Sequence, residues 1–388
     1  MSNRRIYMDN AATTPVRPEV VEAMLPFFTE NFGNSSSVHA FGRNAQQALI
    51  DARATMAELL GCTPNEIYFT SCGTESDNWA IRGTATRLRN KGNHIITSSI
   101  EHPAVLNTCK QLEAEGWKVT YLPVDKYGIV SPEDLEKAIT DETVLVTIMW
   151  ANNEIGTVQP IQELAKIAHD HGVLFHTDAV QAAGAINIKV KEVGVDMLSI
   201  SGHKFNAPKG IGCLYIRKGV RIDNIIYGGH QERGHRPGTE NMPYIVGMAT
   251  ALKLAYEEMD AKTEHLTKLR NHIMDRLTAE IPYCFINGHR EQRLPNNVNV
   301  SFEYIEGESI LLFMDAKGFA LSSGSACTSA SLDPSHVLLA TGLLHEQAHG
   351  SIRISLGRDN TMEEADYLVD SLKEVVAKLR AMSPLFNK

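Results

Sequence analysis

Between Glu66 and Ile216 the chain alternates short apolar runs with longer segments in which apolar residues recur every three or four positions. The runs Glu66 to Thr70, His94 to Thr97, Lys118 to Leu122, Val144 to Trp150, Val173 to Thr177, Met197 to Ile200 and Gly212 to Ile216 read as strands. Most are separated by helical stretches, at Asn78 to Leu88, Ala104 to Glu115, Pro132 to Ile139 and Ile161 to His169. A parallel crossover needs a connection of about a dozen residues, so this rhythm predicts a mostly parallel sheet covered by helices. Only a short turn near Pro208-Lys209-Gly210 precedes the last run, which is therefore expected to be antiparallel.

Two amphipathic helices come first. One runs from Pro18 to about Phe27, with Val20, Val21, Met24 and Leu25 at helical spacing, and the other from Arg43 to Leu60, with Ala48, Leu49, Ala52, Met56 and Leu59 facing inward. A helix carrying Ile245, Met248, Ala249 and Leu252 on one face closes the repeating part. From about Lys262 the pattern changes to a long helix (His265 to Ile281), strands (Asn297 to Phe302 and Ser351 to Leu356) and a terminal helix (Met362 to Met382). The expected organisation is a large α/β domain over residues 15–258 and a smaller α+β domain built from 1–14 and 259–388.

Composition removes several function classes. A formal charge of -9 argues against general nucleic-acid binding, which needs basic surface to displace counterions. No apolar run approaches the roughly 20 residues that span a bilayer, and the start turns acidic at Asp9 before a signal-peptide core develops. A cytoplasmic protein without direct membrane or nucleic-acid partners is expected. The six cysteines, Cys62, Cys72, Cys109, Cys213, Cys284 and Cys327, show no CxxC pairing and read neither as a disulfide framework nor as a zinc site.

The informative polar residues sit at strand ends. Val173-Leu174-Phe175 leads into His176-Thr177-Asp178 with Gln181 close behind, and Asp196 to Ile200 leads into Ser201-Gly202-His203-Lys204. In an open α/β sheet the carboxyl ends of the strands form the ligand crevice, so Asp178 and Lys204 are expected to face one site. An acid and an amine together suit a pyridine cofactor whose ring nitrogen stays protonated and whose aldehyde condenses with the amine, which points to pyridoxal phosphate. Each residue also has a plainer use, Asp178 as a helix N-cap and Lys204 as a solvated surface group. A free lysine has a pKa near about 10.4, so exchange with substrate amines needs a site that lowers it.

Other stretches add to this edge. Ser71-Cys72-Gly73-Thr74-Glu75-Ser76 lies between a strand and a helix, where Thr74 with Asp77 resembles a helix start whose free N–H groups attract phosphate; an ordinary capped helix is the alternative. Glu101-His102-Pro103 offers an imidazole that can stack on a flat ring and handle protons, and Asn152-Asn153-Glu154 offers amides for a phenolic oxygen or a carboxylate. Arg353 alternates with Ile352 and Ile354, and its fork matches a carboxylate or a surface ion pair. The polar flanks of Cys327, in Ser322-Ser323-Gly324-Ser325-Ala326-Cys327-Thr328-Ser329, predict a mobile loop exposing a thiol, with a buried structural cysteine as the alternative.

Taken together these stretches, with Asp9-Asn10-Ala11-Ala12-Thr13-Thr14 and Gly238-Thr239-Glu240-Asn241, resemble in order the pyridoxal-phosphate-dependent cysteine desulfurases of the NifS-like type. The resemblance implies a fold-type-I aminotransferase-like homodimer. Lys204 would hold the cofactor, Asp178 its pyridinium nitrogen, His102 its ring face and Gln181 its phenolic oxygen. The phosphate would fall to Gly73, Thr74, Ser201 and His203, with Thr239 reaching the partner subunit's cofactor. Asn153, also placed near the cofactor, and Arg353 would receive the carboxylate of L-cysteine. Lys204 and His102 would move protons while Cys327 takes the sulfur as a persulfide, releasing alanine, and passes it to an acceptor or iron-sulfur scaffold protein.

By the same resemblance Cys327 could ligate a transient iron-sulfur cluster. Its loop is similar to the long-loop type serving iron-sulfur assembly, and Gly228 to Gly234 with Ser383-Pro384-Leu385 are similar to the nitrogen-fixation variety. A selenocysteine lyase or related aminotransferase on the same cofactor site, or a non-catalytic iron-sulfur scaffold, are the competing readings; a pure scaffold would not need Lys204 and Asp178.

Overall fold

The computed structural model describes residues 5–323 and 334–386. Seven strands form the main sheet in the order Ile67–Thr70, Gly212–Ile216, Met197–Ser201, Leu174–Asp178, Thr143–Thr147, His94–Ser98, Lys118–Leu122. Every neighbouring pair is parallel except those of Gly212–Ile216, which runs antiparallel to both its neighbours as the short turn before it requires.

Successive side chains of a strand point to opposite faces, and here both faces are covered. Ile96, Val146, Phe175, Leu198 and Ile200 enter one apolar core. Their chain neighbours Ile95, Leu145 and Met197 enter another on the opposite side. Continuous apolar runs, rather than alternating ones, are the consequence for the sequence.

A second, three-stranded antiparallel sheet has Asn297–Phe302 between Ser351–Ser355 and Cys284–Ile286. It shares a separate core with the helices Met259–Glu280, Gly307–Ala316 and Met362–Met382, through Ile273, Val300, Met314, Ile352 and Leu372. The first strand, Ile6–Tyr7, pairs with Phe319–Ala320, so the start of the chain joins this C-terminal part.

Several boundaries differ from expectation for local reasons. The helix expected over Pro18 to Phe27 is two helices, Pro18–Met24 and Pro26–Thr29, because Pro26 has no N–H to continue the first. Of its apolar residues Val20 and Met24 are buried, whereas Val21 and Leu25 are exposed. The helix expected from Asn78 begins at Gly73, five residues earlier. The strands Ile6–Tyr7, Cys284–Ile286 and Phe319–Ala320, two or three residues each, are too short to carry a period.

One buried ion pair ties the edge of the main sheet to the loop before Thr239. Arg53 Nη1 and Nη2 donate to the Glu232 carboxylate at 2.7 and 2.6 Å, Nη1 also donates to the Ile67 carbonyl at 2.7 Å, and Phe69 N donates to Glu232 Oε2 at 3.2 Å. Glu232 and Arg233 sit at φ 45° and 60°, a left-handed backbone costing residues with a Cβ on the order of 1 kcal/mol or more each, which this pair holds in place. Removing one partner leaves the other charge buried alone. Arg53→Met is therefore expected to lower unfolding stability by about 3–5 kcal/mol in urea denaturation, with Glu232→Gln milder because the amide keeps an acceptor.

Candidate active site

The chain leaves strand His94–Ser98 for the sheet edge at Lys118–Leu122 and then returns to Thr143–Thr147 on the other side. That reversal opens a crevice at the carboxyl ends of the strands. A cavity of about 320 Å³ lies there. Asp178, the last residue of its strand, and Lys204, in the 3-10 turn Gly202–Lys204 after the next strand, both line it.

His102, Gln181, Ser201, His203, Gly73, Thr74, Asn153 and Arg353 line the same cavity. Thr239 does not; it is exposed on the loop before the helix Met242–Glu257. Cys327 lies outside the described residues, and among the described residues no group of three or more His, Cys, Asp or Glu is arranged to hold a metal.

Backbone geometry accounts for much of the placement. His102 caps the helix Pro103–Ala114, its Nδ1 accepting from Ala104 N at 3.1 Å, which puts the proton of the neutral ring on Nε2. Asn152 folds its own turn, with Oδ1 accepting from Glu154 N and Ile155 N at 2.8 and 3.0 Å, while its neighbour Asn153 reaches the cavity. The segment Asp9 to Thr14 crosses the site as a strap. Lys204 Nζ donates to the Ala11 and Ala12 carbonyls at 2.5 and 2.9 Å, and Gln181 Nε2 to Ala11 O at 3.0 Å. Thr14 in turn donates through N and Oγ1 to His203 O.

Arg353 spends Nη2 on Asp9 Oδ1 at 3.0 Å and Nη1 on the Asn153 carbonyl at 2.9 Å, while its buried Nε has no hydrogen-bond partner. The guanidinium is thus held at the cavity wall by the strap and by the Asn153 turn. Ser351 and Ser355, on the same strand face, do not reach the cavity: Ser351 Oγ donates to Ala348 O, and Ser355 Oγ accepts from Ala11 N.

The pairing expected of Thr74 with Asp77 is not made. Cys72 is the N-cap of the helix Gly73–Leu88, and Asp77 turns inward, 3.7 Å from His176 Nε2, with Oδ1 buried and without a hydrogen bond. Asp77 is one of four buried carboxyls on the cavity wall, with Asp178, Glu101 and Glu154. Burial pushes all four above the ordinary carboxylate range, Glu101 to about 8. For Asp178, His102, the Val180 N–H and Lys204 pull the other way. Burial also depresses the histidines, His203 to about 4 and His176 to about 3, and His102 by direction. His176 stays within the sheet, bonded to Thr147 Oγ1 and Ser199 Oγ at 2.8 and 2.9 Å.

Glu101, Glu154, Asp77 and His336 are wall residues that sequence reasoning did not assign to the site. The first three look like turn or cap residues in a sequence, and only their burial marks them. His336 begins a short helix and donates through Nε2 to the Glu101 carbonyl at 3.0 Å; nothing in its sequence surroundings signals this.

The donor set fits pyridoxal phosphate. A buried acid beside a lysine amine is matched to a protonated ring nitrogen and an aldehyde. At the other end, a Cβ on Gly73 would lie 2.7 Å from Val180 Cγ2 and 3.4 Å from Ser201 Cβ, so only glycine lets the start of a sixteen-residue helix come this close to Ser201. The N–H groups of that first turn, with Thr74, Ser201 and His203 on the same wall, would suit a phosphate.

Comparison with known proteins gives a consistent result. Residues 6–368 match the family model described as aminotransferase class-V. The chain is 58% identical over 386 residues to the cysteine desulfurase IscS of Methanosarcina thermophila, covering 100% of this chain and 95% of the relative. It is 54% identical over 381 residues to the protein of the same name from Dictyoglomus turgidum, covering 98% and 97%. Among solved structures, a NifS-like protein superposes with TM-score 0.91 at 42% identity, over 97% of this chain and all of that one. SspA in complex with cysteine superposes with TM-score 0.81 at 39% identity, over 92% and 99%.

The raised carboxyls make stability depend on pH in a fixed direction. An unfolded glutamate has a pKa near about 4.3, whereas folded Glu101 sits at about 8. Between those values unfolding releases its proton, so stability falls as pH rises, by about 1.4 kcal/mol per unit from this group. The depressed histidines act in the opposite sense, but only below about pH 6.5. Urea denaturation of the cofactor-free protein at pH 6.5 and 8 is expected to show a clearly smaller loss for Glu101→Gln than for wild type. Equal losses would contradict the buried, protonated state of Glu101.

Proposed function

The chain belongs to the class-V aminotransferase family, and we propose that it is a pyridoxal-phosphate-dependent cysteine desulfurase, converting L-cysteine to L-alanine with transfer of the sulfur to Cys327. The observation that carries the reading is the convergence of Lys204, Asp178 and Arg353 on one cavity from three separate strands. Bound pyridoxal phosphate supplies an aldehyde for amines and a ring that accepts electrons from the substrate carbon. Asp178 would keep the ring nitrogen protonated by pairing with it as a buried carboxylate, the ring's positive charge offsetting the burial that otherwise raises the acid's affinity for a proton. His102 would cover the ring, Gln181 would meet the phenolic oxygen, and Gly73, Thr74, Ser201 and His203 would hold the phosphate.

The substrate carboxylate would settle against Arg353 and Asn153, whose mutual hydrogen bond fixes the guanidinium before substrate arrives. Lys204, with Nζ oriented by the Ala11 and Ala12 carbonyls, would move the α-proton, and His102 would serve as a further proton donor or acceptor. In balance, the Cys327 thiol gains the sulfur as a persulfide and the substrate carbon gains hydrogen in its place. The persulfide would then pass its sulfur to an acceptor or iron-sulfur scaffold protein, and the same thiol is the candidate ligand for a transient cluster.

We further infer a homodimer, with Thr239 completing the phosphate site of the second copy. Leu25, Phe28, Phe32, Val38 and Phe41 form an exposed apolar run of sequence, and Ser35 Oγ donates to Glu240 Oε2 at 2.9 Å, tying that run to the residue after Thr239. An apolar surface of this kind suits a second copy of the chain. The two separate cores support a division into a large domain, 15–258, and a small one, 1–14 with 259–388. Among the described residues no helix is long and apolar enough to cross a membrane, and a cytoplasmic site of action suits a reactive thiol.

Sulfide release from L-cysteine in the presence of a thiol reductant tests the reading. Wild type is expected to release sulfide, Cys327→Ala to bind the cofactor with unchanged absorbance yet release none, and Lys204→Ala to be slower by on the order of 10²–10⁴. Undiminished release by Cys327→Ala would overturn the assignment of the sulfur to that thiol.

A further inference from the structure

The strap formed by Asp9 to Thr14 has two sides, and the side away from the substrate cavity bounds a second cavity of about 250 Å³. Lys204 and Gln181 belong to both walls. The remaining wall comes from the Gly184 turn, from Lys262 and Leu266 on the helix Met259–Glu280, and from the loop Leu356 to Asn360 after the strand Ser351–Ser355.

Its charges do not balance. Arg5, Lys262 and Arg358 line it against Asp359 and Glu364, Lys204 being committed to the strap carbonyls and, in the loaded protein, to the cofactor. Asp359 is met by Arg358 Nε at 3.3 Å, and Glu364 Oε2 accepts from Asn360 Nδ2 at 3.0 Å. Glu258, the nearest help for Lys262 from outside the wall, is bound bidentately by Arg17 at 2.7 and 2.9 Å and approached by Arg358 at 3.7 Å. Lys262 is left with a 3.3 Å hydrogen bond to the Gly184 carbonyl and no carboxylate within 4.0 Å among the described residues. Burial holds its pKa below the ordinary lysine value, with only Glu258 acting to raise it. A partly buried ammonium without a counter-ion is a strong anion attractor.

Asn296 adds a second requirement. It lines the same cavity, and its Oδ1 is buried with no hydrogen-bond donor. An acceptor that shares a cavity wall with a cation lacking a carboxylate partner is poorly matched to a bare carboxylate, which brings no proton. Hydrogen phosphate and a singly protonated phosphate monoester carry both an anionic oxygen and an O–H. We propose that this second cavity is a phosphate-binding site, in which Lys262 takes an anionic oxygen and Asn296 accepts the phosphate's proton. It is distinct from the cofactor's phosphate cradle at Gly73 and Ser201, on the other side of the strap, and stands whether or not the desulfurase reading holds.

The test uses the cofactor-loaded protein, so that the cradle is already filled. Acetylation of Lys262 by an amine-reactive ester is followed by peptide mass spectrometry, with exposed Lys253 as internal reference, in inorganic phosphate, in glycerol phosphate, or in acetate at matched ionic strength. Lys262 labelling is expected to slow about tenfold at a phosphate or monoester concentration about ten times its Kd, with Lys253 unchanged. Protection by inorganic phosphate identifies the free ion as sufficient, and protection by glycerol phosphate alone identifies a monoester. No protection, or protection by acetate equal to that by phosphate, overturns the proposal. Lys262→Met is expected to lose the phosphate-induced rise in thermal midpoint that wild type shows; an undiminished rise in a folded variant also overturns it, and labelling of the wild type decides alone if the variant does not fold.

Discussion

A carboxyl group taken out of water must find a cation, find hydrogen bonds, or keep its proton, and four of them are buried around one cavity at the carboxyl edge of the main sheet. Asp178 has Lys204 as a cationic neighbour, the His102 ring nearby and one backbone N–H, which together do not outweigh its burial. Glu101 has Ser98 Oγ and Met149 N, and Asp77 keeps an oxygen with no partner. The edge is thus suited to a bound positive charge, which a protonated ring nitrogen would supply beside Asp178.

The remaining architecture serves that arrangement. Two apolar cores clamp the sheet from both faces and fix where each strand ends, hence where Asp178, Ser201 and Lys204 emerge. The C-terminal part contributes Arg353 from its own sheet, and the N-terminal strap joins the two by bonding Lys204 and Gln181 through backbone carbonyls while Asp9 holds Arg353. Lys204, Gln181 and Arg353 are therefore positioned by one stretch of about six residues, and a shift of the strap would move all three together.

Much of this was legible in the sequence. Strands buried on both faces betray themselves as unbroken apolar runs, and Lys204, Asp178, His102 and Arg353 stand out because each is polar at the end or on one face of such a run. The strap's function was not legible, because Ala11 and Ala12 act through carbonyl groups that every residue carries. Asp77 and Glu101 look like local cap or turn residues in a sequence, which shows which groups are acidic but not which are desolvated. The early start of the helix at Gly73 was hidden by glycine's poor helix propensity, which the close approach to Val180 and Ser201 overrides.

Reductive trapping tests the central claim most directly, because it asks which amine the cavity presents to the cofactor without depending on turnover. The protein loaded with pyridoxal phosphate is treated with borohydride, digested, and mapped by mass spectrometry. A single phosphopyridoxyl group on Lys204, reduced in yield when Asp178 is replaced by alanine, is the predicted result. Attachment to another lysine, such as Lys262, or incorporation indifferent to Asp178→Ala, would contradict the account of a site built around that acid and that amine.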